Sequence, residues 1–154
     1  MVARPARSAP TEISCLPAFL LILCWSAASP SPSRAAAVSW TGAVDNNWFN
    51  AANWSPAQVP SSADNAVIDL NATVSAGGAT SIAFATLEVG DAAGSFSPTL
   101  RLSAAESTSG SVIIHPGGKL QQDTNQQLVF GALSVRPGGL LTHGANTSTR
   151  SFLI

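Results

Sequence analysis

From residue 66 onward, apolar residues arrive in short runs that alternate with polar ones. Ala66 to Leu70 is the first run. Ile82 and Phe84, then Leu87 and Val89, alternate within Ser81 to Gly90. Leu100 and Leu102 alternate with Thr99, Arg101 and Ser103, and Leu128, Phe130, Leu133 and Val135 extend the pattern. A period of two belongs to a half-buried strand, whose successive side chains point to opposite faces. Turn, loop and polar stretches separate the runs: Ala76 to Gly78, Asp91 to Pro98, Ser107 to Gly110, Gln121 to Gln127 and Thr142 to Thr149. Ser151 to Ile154 begins another strand.

One pattern occurs twice. Val112 to Leu120 reads VIIHPGGKL, and Leu133 to Leu141, 21 residues on, reads LSVRPGGLL. Each copy is an apolar strand, a Pro-Gly-Gly corner and the start of a second strand. Proline ends a strand because it cannot donate to the ladder, and the glycine after it takes a positive φ without a steric penalty. A fixed period of roughly 20 to 30 residues marks a solenoid, in which one coil stacks on the next. Such stacking sets Pro116 over Pro137 and Gly117 over Gly138. The expectation is an all-β fold, a right-handed parallel β-helix whose coils run over residues 66–154. An antiparallel β-sandwich remains open, because the same segments also read as strand-turn-strand. The chain stops at Ile154 inside an apolar strand with no polar cap, as in the N-terminal piece of a longer protein or a truncated gene model.

Residues 39–65 differ from the coils. Trp40, Trp48 and Trp54 crowd together here among Gly42, Asp45, Asn46, Asn47, Asn50 and Asn53, and Pro56 and Pro60 block a long helix. The segment reads as a strand at Trp40, an irregular or one-turn piece from Asn50 to Trp54, and a loop through Pro60. Its expected role is a cap, with the indoles covering the apolar core of the first coil. The competing role is carbohydrate binding, with Trp40, Trp48 and Trp54 stacking on sugar rings. Trp40, Gly42, Trp48, Asn53, Trp54, Val59, Pro60, Ala63, Asp64, Ala66 and Ile68 form a pattern that resembles the opening module of secreted bacterial surface proteins. In those proteins the module stands before autotransporter-like or pectin-lyase-like parallel β-helices. The resemblance spans about thirty residues and implies a structural or adhesin-like role.

The start of the chain reads as a leader. Arg4 and Arg7 precede an apolar run, Cys15 to Trp25, and the small residues Ser26, Ala27 and Ala28 follow. This is the layout of a secretory signal peptide, and the run is shorter than the roughly 20 residues that span a bilayer. Residues 1–28 are the expected signal peptide, with cleavage as late as Ala37 the alternative. Residues 29–38 are then a flexible leader. Leu21 to Cys24 has the wrong residue before its cysteine for a lipoprotein box. Cys15 and Cys24 both leave with the leader, so the exported chain carries no disulfide and rests on burial and backbone pairing.

From Val38 on, four basic residues face seven acidic ones, a net charge of −3. No basic patch with interleaved aromatics occurs, so nucleic acid is not an expected partner. His115 and His143 fall at different phases of the repeat, and neither has Cys, Asp or Glu at ligand spacing. His115 and its counterpart Arg136 read as outward corner residues. Asp64 and Asp69 stand five apart, and Asp45-Asn46-Asn47 lacks the repeated Asp of a calcium loop. No catalytic residue, metal site or cofactor is therefore assigned. Sequons at Asn53, Asn71 and Asn146 are what a chain rich in Asn, Ser and Thr contains by chance. The expectation is a secreted or cell-surface, non-enzymatic β-helix module that contacts polysaccharide or host and cell-surface components. The alternatives are the N-terminal part of a pectate-lyase-like enzyme and a carbohydrate-binding module.

Overall fold

The computed structural model describes residues 35–144, except 79, 105, 109 and 126, together with residues 152–153. The expected signal peptide, both cysteines and the Asn146 sequon lie outside the described residues. β1 (Ala37–Trp40) and β2 (Trp54–Ser55) belong to the tryptophan-rich segment. The first coil holds β3 (Asn65–Ile68) and β4 (Thr73–Ala76). The second holds β5 (Thr86–Val89), β6 (Thr99–Leu102) and β7 (Glu106–Ser107). The third holds β8 (Ser111–Ile114), β9 (Lys119–Gln122) and β10 (Leu128–Val129). β11 (Ala132–Val135), β12 (Leu140–His143) and β13 (Phe152–Leu153) follow.

These strands stack into three sheets, ordered β11-β8-β5-β3-β1-β2, β12-β9-β6-β4 and β13-β10-β7. Among the described residues every pairing between coils is parallel, and only β1 with β2 is antiparallel. The chain is a parallel β-solenoid of about 4 turns, and the sandwich alternative is not needed.

The period of two places one residue column inside. Val38, Ala66, Leu87, Val112 and Leu133 stand above one another in the first sheet. Val74, Leu100, Leu120 and Leu141 do so in the second. Most of these residues are fully buried, each fully buried Val or Leu contributing about 1.5–3 kcal/mol. Coil-to-coil spacing holds this column in phase. A slip of one residue would turn every inward side chain to solvent.

The repeated Pro-Gly-Gly corners stack as their spacing predicts. Leu133 pairs with Val112 and Val135 with Ile114, and Gly117 N–H donates to Gly138 O at 3.0 Å. Gly117 and Gly138 have φ of 78° and 87°, the left-handed region that a side chain disfavours. The second glycine of each pair lies against the previous coil: a Cβ on Gly118 would collide with Val89 O, and one on Gly139 would stand 2.7 Å from Ile114 O.

Some boundaries differ from the sequence reading. Thr73–Ala76 is a full strand that takes in Ala76, expected to begin the turn, because its backbone joins the ladder opposite Leu102. Likewise Thr142 and His143 belong to β12. Ser107 belongs to β7, and Gln121 and Gln122 belong to β9, because the ladder to neighbouring coils overrides their polar composition.

Candidate functional site

The tryptophan segment forms the lid of the stack. β1 adds a parallel strand above β3, and β2 turns back antiparallel along its outer edge. In the second sheet, Trp48 N–H donates to Ser75 O at 3.0 Å and Ser75 N–H donates to Asn46 O at 2.7 Å, adding a partial rung over β4. Trp40, Trp48 and Trp54 are 2%, 0% and 3% exposed. Trp54 meets both other rings edge-on, at centroid distances of 5.0 and 4.8 Å, the favoured aromatic geometry. Its Nε1 donates to Trp48 O at 2.8 Å. The three sequence candidates are thus brought together and buried against one another.

Asn53 organises the chain around them. Asn50 accepts from Ala52 N–H and starts the 3₁₀ turn Ala51–Asn53. The turn delivers the Asn53 side chain, fully buried, to four backbone and side-chain partners. Its Oδ1 accepts from Val44 N–H and Asp45 N–H at 2.9 and 3.0 Å, and its Nδ2 donates to Asn47 O and to the Asp45 carboxylate. Hydrogen bonds from the Asn50 amide, Asn47 N–H and the Asn53 amide hold the Asp45 carboxyl below its usual value. Asp64, another residue of the sequence pattern, closes a turn through Ser61 N–H and Oγ at 2.8 and 2.6 Å.

The interior holds one carboxylate that sequence reasoning missed. Glu106 is 1% exposed and occupies the inward phase, in register with Leu128. Above it the chain at 81–84 buries Ile82 and Phe84 but forms no strand. Ile82 N–H donates to Glu106 Oε2 at 2.7 Å, so a side chain completes what a ladder supplies elsewhere. Burial pushes the Glu106 carboxyl up to about 7, and the Ile82 hydrogen bond works in the opposite direction. Its Oε1 has no hydrogen-bond partner among the described residues. The available signal was its position in the repeat, 22 residues before the buried Leu128 (128 − 106).

The outer corners present the other candidate. Between the first and second sheets, the corners 69–72, 115–118 and 136–139 each hold four residues, but that of the second coil, 90–98, holds nine. The extra length bulges outward as a braced loop. Asp91 Oδ1 accepts from Ser95 N–H and Phe96 N–H at 2.7 and 3.1 Å, and Ser97 N–H donates to Asn71 Oδ1 at 2.7 Å. Desolvation opposes charge on Asp91, but N–H bonds from Phe96, Ser95 and Ala93 hold its carboxyl below the usual value. Against this loop lies a cleft of about 460 Å³ lined by Ala92, His115, Pro116, Arg136 and Pro137. His115 Nε2 lies 2.9 Å from Glu88 Oε2. Arg136 is exposed and has no carboxylate partner among the described residues, unlike Arg101, which pairs with Asp123 at 2.6 Å. Arg136 is exposed, as its phase predicts, whereas the His115 side chain is largely covered at 14% exposure; both line one cleft, which the sequence did not indicate.

Among the described residues, no group of three or more His, Cys, Asp or Glu is placed to hold a metal, and no helix is long and apolar enough to cross a membrane. Asp64 is committed to Ser61, and Asp45 to Asn50 and Asn53. Comparison with protein-family models, with curated proteins and with solved structures finds no match to this chain.

Proposed function

We propose that this chain is a non-enzymatic, extracellular or cell-surface β-helix module with a structural or adhesin-like role. The observation that carries the reading is the lid: three buried indoles and an antiparallel return strand close the first coil. A solenoid with a finished end is a rod whose outward faces are its contact surfaces. The resemblance of Trp40, Gly42, Trp48, Asn53, Trp54 and Pro60 to the opening module of bacterial surface proteins supports the same role, with residues 1–28 as the export signal. Polysaccharide or host and cell-surface components are the partner classes. The buried positions of Trp40, Trp48 and Trp54 favour a lid over a sugar-stacking platform.

The test is expression of the whole chain in a bacterium, followed by recovery of the exported protein. The expected product begins near Ser29 or Val38, adheres to immobilised cell-surface material, and releases no reducing or unsaturated ends from acidic or neutral polysaccharides. Retention in the cytoplasm, or turnover of any of these polysaccharides, would overturn the reading.

A further inference from the structure

The sequons at Asn53, Asn71 and Asn146 are alike in composition but not in their place in the fold. An N-linked glycan is bulky and hydrated. Its acceptor asparagine must therefore stand at the surface with a free amide nitrogen, and the residue two places on must present a hydroxyl. Asn53 fails on both burial and bonding. It is fully buried, and its Nδ2 donates to Asn47 O at 3.0 Å and to the Asp45 carboxylate. Asn146 lies outside the described residues.

Asn71 meets every condition. It is exposed in the corner 69–72, between β3 and β4. Its Oδ1 accepts from Ser97 N–H at 2.7 Å, which fixes the carboxamide, and its Nδ2 has no acceptor among the described residues. A glycan replaces one hydrogen on Nδ2 and leaves Oδ1 in place, so the Ser97 bond survives the change. Thr73, two residues on, opens β4 with its side chain exposed. β4 is the end strand of the second sheet, and only the partial rung at Ser75 lies over it. Asp69, two residues before Asn71, is exposed as well. Carboxylate, carboxamide and hydroxyl thus recur at alternate, exposed positions along one corner, where an enzyme can read them together.

We propose that Asn71 is the acceptor of an N-linked glycan, transferred from a lipid-diphosphate-linked oligosaccharide, and this rests on reading the chain as exported. Resonance with its carbonyl makes an amide nitrogen a weak nucleophile, so the transfer needs an enzyme that recognises the sequon. Asn71 Nδ2 attacks C1 of the first sugar. The Nδ2–C1 bond forms and the C1–O bond to the diphosphate breaks. The lipid diphosphate leaves with that electron pair, and one Nδ2 proton passes to a basic group of the transferase.

The experiment incubates the whole folded chain with a bacterial oligosaccharyl transferase and its lipid-diphosphate-linked oligosaccharide. The product is read by intact mass and by mass mapping of the peptide that contains Asn71. The expected result is a single glycan, on Asn71. Asn71→Gln and Thr73→Ala should each lose it, the second with the acceptor asparagine still present, while Thr73→Ser keeps it. A wild-type chain left unmodified, or a glycan that sits on Asn53 or Asn146 and is retained in Asn71→Gln, would overturn the proposal. A chain that takes the glycan in this assay yet stays in the cytoplasm of an expressing bacterium loses the export reading. An exported chain that takes none loses only the acceptor site, so the two failures are distinguishable.

Discussion

Asn53 and Glu106 are both buried polar side chains that serve backbone outside the ladders, and they do it under opposite conditions. Asn53 is neutral, and both ends of its amide are occupied: Val44, Asp45 and Asn47 surround it. Glu106 is ionisable, holds one N–H from Ile82, and has no partner for Oε1 among the described residues. A buried polar group is stabilising when its partners are complete and is a liability when they are not. The lid therefore uses its polar residue as a fixed fastener. The crossing at 81–84 uses one whose strength depends on a proton.

The lid's indoles set the scale against which both residues are measured. Trp48→Ala opens a cavity under Trp54 and removes its ring contact at 4.8 Å. It should lower unfolding stability by about 3–5 kcal/mol in urea titration. A loss below about 1 kcal/mol would mean that Trp48 does not seal the core.

Glu106 should produce the next largest effect, and an unusual sign. In the folded chain its carboxyl keeps a proton up to about pH 7, against 4.5 as the ordinary value. Between these values the folded state holds more protons than the unfolded state, so stability falls as pH rises and is level above. The limb should amount to roughly 3 kcal/mol. Asp45 and Asp91, whose pKa values are lowered, bend the profile the other way at more acid pH, losing stability as pH falls. Glu106→Gln keeps an acceptor for Ile82 N–H and removes the titration. Stability curves from pH 4 to 8, taken in steps of about one unit, should show the limb in wild type and lose it in the variant. A limb that survives the substitution would assign it to another group.

Asn53→Ala completes the comparison from the lid side. Val44 N–H and Asp45 N–H lose their acceptor and Asn47 O loses a donor. The expected loss is about 2 kcal/mol, independent of pH between 5 and 8, because nothing in this cluster titrates there. A pH-dependent loss would show that the two buried side chains are coupled, and the contrast between them would fail.

Much of this architecture was legible as periodicity. Leu87, Val89, Leu100, Leu102, Val112, Ile114 and Leu120 alternate in sequence and are buried in the structure. The 21-residue spacing of the two Pro-Gly-Gly corners is the observed register. What stayed hidden depended on neighbours that only the coil brings together. Glu106 follows two alanines (104 and 105) in a polar stretch, and only the coil sets it in register with the buried Leu128. Arg136 and His115 read as separate corner residues until the long corner 90–98 places Ala92 against both. Asn53 was visible as part of a motif, but its role came from contacts with residues 44–47, which local pattern cannot supply.

The smallest expected effect concerns the long corner 90–98, and it separates local order from global stability. Asp91→Ala removes the acceptor shared by Ser95 N–H and Phe96 N–H. Both donors are at the surface, so water replaces the carboxylate and the urea midpoint should stay within error of wild type. Amide exchange should respond where stability does not. Ser95 and Phe96 should lose protection, while Val89 and Ile114, deep in the first sheet, keep theirs. Ser97 N–H, held independently by Asn71 Oδ1, should lie between these extremes. Uniform loss of protection would make Asp91 part of the solenoid's fastening, alongside Asn53 and Glu106. Loss confined to 95–97 would make it the brace of an outward surface.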